Sequence, residues 1–239
     1  MTSIANAARA LEPSLVVSEV FGPTWQGEGP SLGRLAVFLR LGHCNLTCEW
    51  CDTPYTWDWT RHEAAAELTV MTVDSAVRQV ARVGAPLLVI TGGEPLMQQQ
   101  ALGTLLGRLP PGIDAEIETN GTIVPTEEIR ARVARFNVSP KLANSGVRDA
   151  KRVRSRALAE LNATGKAMFK FVVSSAEDLA EVGRIVEEYS LKPVYIMPEG
   201  TNSDAILQGL RDMSSAILER GWNITPRLHV LIWGDQRGV

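Results

Sequence analysis

Seven short apolar runs, at 36–41, 87–91, 115–118, 136–139, 168–173, 194–197 and 229–233, punctuate the sequence, and most are rich in Val, Ile, Leu or Phe. Runs of this length and branching read as strands buried on both faces. Between them, segments 73–83, 97–108, 126–134, 155–161, 176–189 and 203–220 carry helical patterns. Strands alternating with helices at this spacing are joined by right-handed crossovers and build a parallel sheet. Six strand–helix units are fewer than the eight that close a full barrel. The pattern therefore predicts an α/β fold, an open partial (β/α)6 barrel, with its site at the C-terminal strand ends.

The chemically distinctive residues fall at those ends. LRLGHC follows the first run, VITGGEP the second, EIETNGT the third, NVSPK the fourth, FKFVVS the fifth and YIMPEG the sixth. Each alone has a plain reading, since Gly92-Gly93 and Asn120-Gly121 also suit tight turns. Pro111-Gly112 and 144–146 mark loops, and no long polar linker, internal repeat or low-complexity tract divides the chain. With 239 residues, 45% hydrophobic and 21% charged, the expectation is one globular domain over 15–239, preceded by an Ala-rich, mobile extension at 1–14. A formal charge of -3 gives no electrostatic case for nucleic acid and favours a small-molecule partner. No signal-peptide core and no membrane-length apolar run is present, so a cytoplasmic location is expected.

All three cysteines, Cys44, Cys48 and Cys51, lie in GHCNLTCEWCDT. In a reducing compartment such clustering points to metal or redox chemistry. Zinc in a structural site takes four protein ligands. His43 abuts Cys44 and is poorly placed for a fourth corner, while His62 and His229 could join only through folding. A [4Fe-4S] cluster usually takes four cysteines, so three leave one iron for a non-protein ligand.

C-x3-C-x2-C with Trp50 before its last cysteine resembles the radical S-adenosylmethionine superfamily. That resemblance implies a [4Fe-4S] cluster on Cys44, Cys48 and Cys51, with S-adenosylmethionine on the open iron. Reductive cleavage of the sulfonium then supplies a 5′-deoxyadenosyl radical, the hard step belonging to the cofactor. Gly92, Gly93 and Glu94 match the superfamily's GGEP segment, which meets the methionine amino group. Trp50 is expected near the adenine. Ser139, Pro140 and Lys141, with Met197, Pro198, Glu199 and Gly200, are expected around the ribose, carboxylate and adenine. For Lys141 an ordinary surface charge is the competing account.

Within the superfamily, TWQGEGPSLGRLAVFLRLGHCNLTCEWCDTPY and the RLHVLIWG ending are similar to the 7-carboxy-7-deazaguanine synthase family. The resemblance implies ring contraction of 6-carboxy-5,6,7,8-tetrahydropterin with loss of ammonia, on the route to queuosine and other 7-deazapurines. It sets Trp25, Gln26, Gly27 and Glu28 against the pterin, whose ring edge needs both donors and acceptors. Arg40 is a fork for a carboxylate, and Thr91 and Asn120 complete the pocket. A turn at 26–28 and a structural ion pair at Arg40 are the plainer accounts. Thr53 is expected on a Mg2+ that also holds the substrate carboxylate, against a plain helix cap before Pro54. Lys170 and His229 occupy family-like positions without an assigned role. Family analogy further implies a homodimer and an electron donor such as a flavodoxin or ferredoxin.

Three features stay open at this stage. The basic run 148–156 reads as a solvated surface or a donor-docking patch. Trp57 and Trp59 shield the cluster or merely cap the barrel mouth. Some family members bring a terminal carboxylate to the substrate, and the reach of Val239 is undecided. The alternatives to this reading are an activating enzyme that installs a glycyl radical and a non-catalytic zinc-binding module.

Overall fold

The computed structural model describes residues 12–239. Its strands are β1 (Ser14–Trp25), β2 (Leu35–Leu41), β3 (Thr69–Thr72), β4 (Leu87–Gly92), β5 (Asp114–Thr119), β6 (Arg135–Val138), β7 (Ala167–Val173), β8 (Val194–Pro198) and β9 (Asn223–Ile224). Its helices are α1 (Ala64–Glu67), α2 (Val73–Val83), α3 (Gln99–Arg108), α4 (Glu127–Arg132), α5 (Asp149–Arg152), α6 (Ser155–Ala163), α7 (Asp178–Tyr189), α8 (Ser203–Glu219) and α9 (Leu228–Trp233). One sheet runs β3-β1-β2-β4-β5-β6-β7-β8-β9. From β2 to β9 every neighbour is parallel, and β1 lies antiparallel between β2 and β3. The order ends at β3 and β9 without pairing them, so the barrel stays open.

Strand alternation sorts the side chains into two layers. Val37, Leu39, Leu41, Leu88, Ile90, Ile117, Phe136, Phe169 and Phe171 join the main core with Val80, Leu102, Leu105, Leu158 and Val182 from the helices. The residues between them face the barrel interior. At its lower end Ala36, Phe38, Leu87 and Val89 form a separate apolar plug, against which Phe21 packs. Higher on the same strands the alternating positions become Arg40 and Thr91, with Glu118 on β5 and Lys170 on β7. The barrel is thus sealed below and polar above.

Helix ends obey local chemistry. The Thr72 side chain accepts from Ser75 N at 3.2 Å to start α2, which stops at Gly84 in the left-handed region. Asn202 likewise caps α8 through Ala205 N at 2.9 Å.

Two expectations need correction. Segment 229–233 is not a strand; it belongs to α9. A short apolar run cannot be assigned by periodicity alone, and the edge of β8 is taken by β9. Helical spacing instead puts His229 and Trp233 four apart, where the ring of one lies against Gly27 and the other stacks on Trp25 with centroids 5.6 Å apart. Of the expected extension, residues 1–11 lie outside the described residues. Ser14 already opens β1, and Pro13 O accepts from Val73 N at 2.9 Å, so the ordered body begins before residue 15.

Candidate active site

A cavity of about 550 Å³ opens at the C-terminal strand ends. One wall is the loop after β2, which carries the cysteines. It is held by backbone: Gly93 N donates to Leu41 O at 3.0 Å and Glu94 N to His43 O at 2.8 Å. Gly93 packs so closely on the His43 carbonyl that no Cβ fits between them. Behind the loop, Cys48 is buried with Leu46 and Val147, and Cys44 and Cys51 pack against that apolar group. All three thiols are free and line the cavity. Burial pushes the Cys44 thiol up to about 12 and raises Cys48 as well. Leu46 N donates to Cys44 Sγ at 3.5 Å and Trp57 Nε1 to Cys51 Sγ at 3.3 Å.

Soft thiol donors on one apolar-backed wall suit an iron–sulfur cluster. None of the histidines completes a zinc set with them. His43 sits edge-on to Trp59, His62 edge-on to Tyr55, and His229 lies by Glu28 at the other wall.

That other wall is charged and cross-linked. Glu118 accepts from Gln26 Nε2 at 3.2 Å and from Thr91 Oγ1 at 2.7 Å. Glu28 pairs with Lys170, and Arg227 Nε lies 3.5 Å from its other oxygen. Burial pushes the Glu28 carboxyl up, but Lys170, Arg227 and His229 outweigh it and hold the group at about 2. Arg227 also donates to Gly200 O at 2.9 Å and pairs with Asp52 next to the third cysteine. Its Nε is buried without a hydrogen bond among the described residues. Burial pushes the His229 imidazole down, favouring its neutral form.

The sequence pattern of the radical SAM superfamily matches residues 40–186. Over 229 residues, 95% of this chain and 98% of the relative, the chain is 39% identical to a 7-carboxy-7-deazaguanine synthase of Pyrobaculum aerophilum. It is 36% identical to that of Hyperthermus butylicus, with 96% and 97% covered. The chain belongs to the 7-carboxy-7-deazaguanine synthase family. Among solved structures, QueE from Escherichia coli superposes with a TM-score of 0.69 at 25% identity, covering 90% of this chain and 95% of that one. As a radical SAM enzyme of this family, the protein uses a [4Fe-4S] cluster and S-adenosylmethionine.

Most residues expected at the site from sequence line this cavity. On the thiol side these are Trp50, Thr53, Gly92, Gly93, Ser139 and Lys141, with Met197, Glu199 and Gly200 from the end of β8. Trp25, Gln26, Glu28, Arg40, Thr91 and Asn120 line the rest. Lys141 is not a free surface charge: its Nζ donates to Ser139 Oγ at 3.0 Å and stands 5.3 Å from the Trp50 ring centre. The Thr53 hydroxyl makes no cap hydrogen bond and sits 3.7 Å from Cys51 Sγ. Arg40 reaches the cavity, yet its Nε is bound to Glu19 at 2.6 Å, leaving the terminal nitrogens for any ligand.

Four assignments fall elsewhere. Glu94 is fully buried, accepting from Leu96 N, Thr119 Oγ1 and Asn120 N at 3.0, 2.8 and 2.7 Å; it is a strut between β4 and β5. Burial raises its pKa. Gly27 is covered by the His229 ring, and its carbonyl accepts from Leu228 N. Pro198 faces Gly209 of α8. Pro140 is buried outside the cavity lining. Conversely, Glu118, Arg227, Asp52 and Asn137 line the cavity without having been singled out. For Glu118 a signal existed, an acid at the inward position of an otherwise buried strand; Arg227 opens the RLHVLIWG ending, whose similarity pointed to the family without giving this residue a role.

Proposed function

We propose that this chain converts 6-carboxy-5,6,7,8-tetrahydropterin to 7-carboxy-7-deazaguanine with release of ammonia, the reaction that names its relatives. The observation that carries this reading is the single cavity with a thiol wall facing a charged wall. When bound, the cluster and S-adenosylmethionine supply one-electron chemistry that generates a 5′-deoxyadenosyl radical. The chain's own residues bind and orient. Cys44, Cys48 and Cys51 release their protons to bind iron as thiolates. Trp50, Gly92, Gly93, Ser139, Lys141, Met197, Glu199 and Gly200 enclose the S-adenosylmethionine.

On the facing wall, Glu28 is anionic at neutral pH and accepts N–H groups of the pterin edge. Gln26 and Thr91, oriented by Glu118, offer further polar atoms there, and Asn120 and Trp25 flank them. Arg40, steadied by Glu19, turns its terminal nitrogens to the substrate carboxylate. The Thr53 hydroxyl, engaged only with Cys51 Sγ at 3.7 Å, suits one corner of a Mg2+ that otherwise keeps waters and substrate oxygens. A one-electron donor such as a flavodoxin or ferredoxin, a homodimeric state and a cytoplasmic location complete the proposal. Among the described residues, no helix is long and apolar enough to cross a membrane.

An anaerobic assay of cluster-loaded protein with dithionite, S-adenosylmethionine, Mg2+ and the carboxylated tetrahydropterin tests the reading by mass spectrometry. The ring-contracted product is expected. Its absence, with S-adenosylmethionine still cleaved, would assign the cavity to another substrate.

A further inference from the structure

We propose that the segment 148–156 is the docking surface for the electron donor, and that the donor is a strongly acidic one-electron carrier protein. This rests on the function proposed above, which requires an external electron. The segment is joined to the cysteine loop at its root. Val147 packs on Cys48 and Leu46, Ser145 O accepts from Glu49 N at 3.0 Å, and Gly146 lies against the Glu49 carboxylate with no room for a Cβ. Arg148 follows Val147 directly, so the outer surface here is separated from a cluster thiol by one apolar side chain.

The basic residues of this run divide into two kinds. Arg152 is structural: its side chain is 6% exposed, it pairs with Glu181 at 2.7 Å and Asp149 at 2.9 Å, and it donates to Lys141 O at 2.8 Å. Arg148, Lys151, Arg154 and Arg156 are exposed, and none has a carboxylate partner among the described residues. Asp149 and Glu181 are occupied by Arg152, which leaves Glu49 at the root of the segment and Glu188, beside the Tyr189 that meets Ser155, as the acids near it. Four free cations therefore gather in nine positions of a chain whose net charge is -3. A solvated helix needs no such local excess.

A positive patch on a chain of net charge -3 stands out from an otherwise acidic surface and steers an acidic partner to one place. The patch lies behind the thiol wall, away from the charged wall that would read the pterin, so a macromolecule can sit there while the cavity is filled. The transfer moves one electron from the reduced carrier to the oxidised cluster. No atom is exchanged, and the carrier leaves oxidised by one electron.

The test uses cluster-loaded protein and a flavodoxin as probe. The triple variant Arg148→Glu/Lys151→Glu/Arg156→Glu should slow association with oxidised flavodoxin about tenfold or more at low salt, the scale of electrostatic steering. It should also flatten the salt dependence of that association, while dithionite-driven turnover and the cluster absorbance stay at the unsubstituted level. Arg148→Lys/Arg156→Lys keeps the charge and should keep the binding. Unchanged flavodoxin association in the reversal variant overturns the proposal, as does a reversal variant whose dithionite-driven turnover falls in step. A wild-type protein that binds flavodoxin but makes no product with dithionite refutes the assigned reaction and leaves the docking surface standing.

Discussion

The two walls of the cavity are built on opposite principles. The thiol wall comes from one loop of twelve residues, is backed by Leu46 and Val147, and leaves its sulfurs outside any disulfide, met only by the Leu46 N–H, the Trp57 indole N–H and the Thr53 hydroxyl. The facing wall draws Gln26 and Glu28 from the end of β1, Glu118 from β5, Lys170 from β7 and Arg227 from the approach to α9, and commits them to each other. Low polarity and sulfur held only by weak hydrogen bonds suit a cofactor that brings its own bonds. A lattice of mutually paired charges suits a polar substrate, because each pair is already aimed and desolvated before binding. Binding energy on one side is covalent and local; on the other it is electrostatic and collective.

The sharpest way to break this contrast is at Cys48. Cys48→Ala should abolish the cluster and all product formation, since no fourth cysteine exists to substitute, while costing only about 1 kcal/mol of fold stability for a small buried group. Iron and sulfide analysis, the assay and a denaturation curve check the three parts together. Retained turnover would mean that the thiols are not the cofactor wall.

On the charged wall the effect should be large but incomplete, and coupled to stability. Glu28→Ala strips Lys170 of its carboxylate partner beside the buried Arg227, which keeps Asp52 and Gly200 O. A loss of about 3 kcal/mol in stability is expected, with kcat/KM down on the order of a hundredfold and the cluster spectrum unchanged. The sign with pH follows from the depressed carboxyl. Its stabilisation is fully present above the ordinary value of 4.5 and fades as pH falls toward about 2. The stability gap between wild type and Glu28→Ala should therefore be constant above 4.5 and narrow below it. A gap that widens in acid would show that the Lys170 pairing does not hold in solution.

The smallest effect is expected at the end of the cysteine loop. Thr53→Ala should lower activity several-fold and blunt its response to Mg2+, while Thr53→Ser restores most of it. Because the hydroxyl makes no cap hydrogen bond, the melting temperature should not move by more than about 1 °C. A lowered melting temperature with full Mg2+ dependence would return Thr53 to a purely structural role.

The same contrast explains what could be read without coordinates. The parallel strands β2 and β4 to β8 were legible because both faces of each are covered, giving continuous apolar runs. β1 was not, because its burial is partial and its pairing with β2 slips twice. The cysteines announce themselves by local spacing. Gln26 and Glu118 are 92 positions apart, and nothing in either neighbourhood points to the other. Nor does a motif tell what each of its side chains does: Glu94 belongs to a GGEP segment expected to act through its backbone, and its carboxylate braces the ends of β4 and β5.

Gly93 carries a last consequence, for anyone reading this protein through a mutational scan. Its contact with the His43 carbonyl is backbone on backbone, so any side chain there must push the residue before Cys44 out of place. Such a variant would fail for lack of iron, although glycine donates nothing to iron. In a map of tolerated substitutions Gly93 would be scored beside the cysteines, and adding more iron would not rescue it. A suppressor would have to arise in the loop that carries His43.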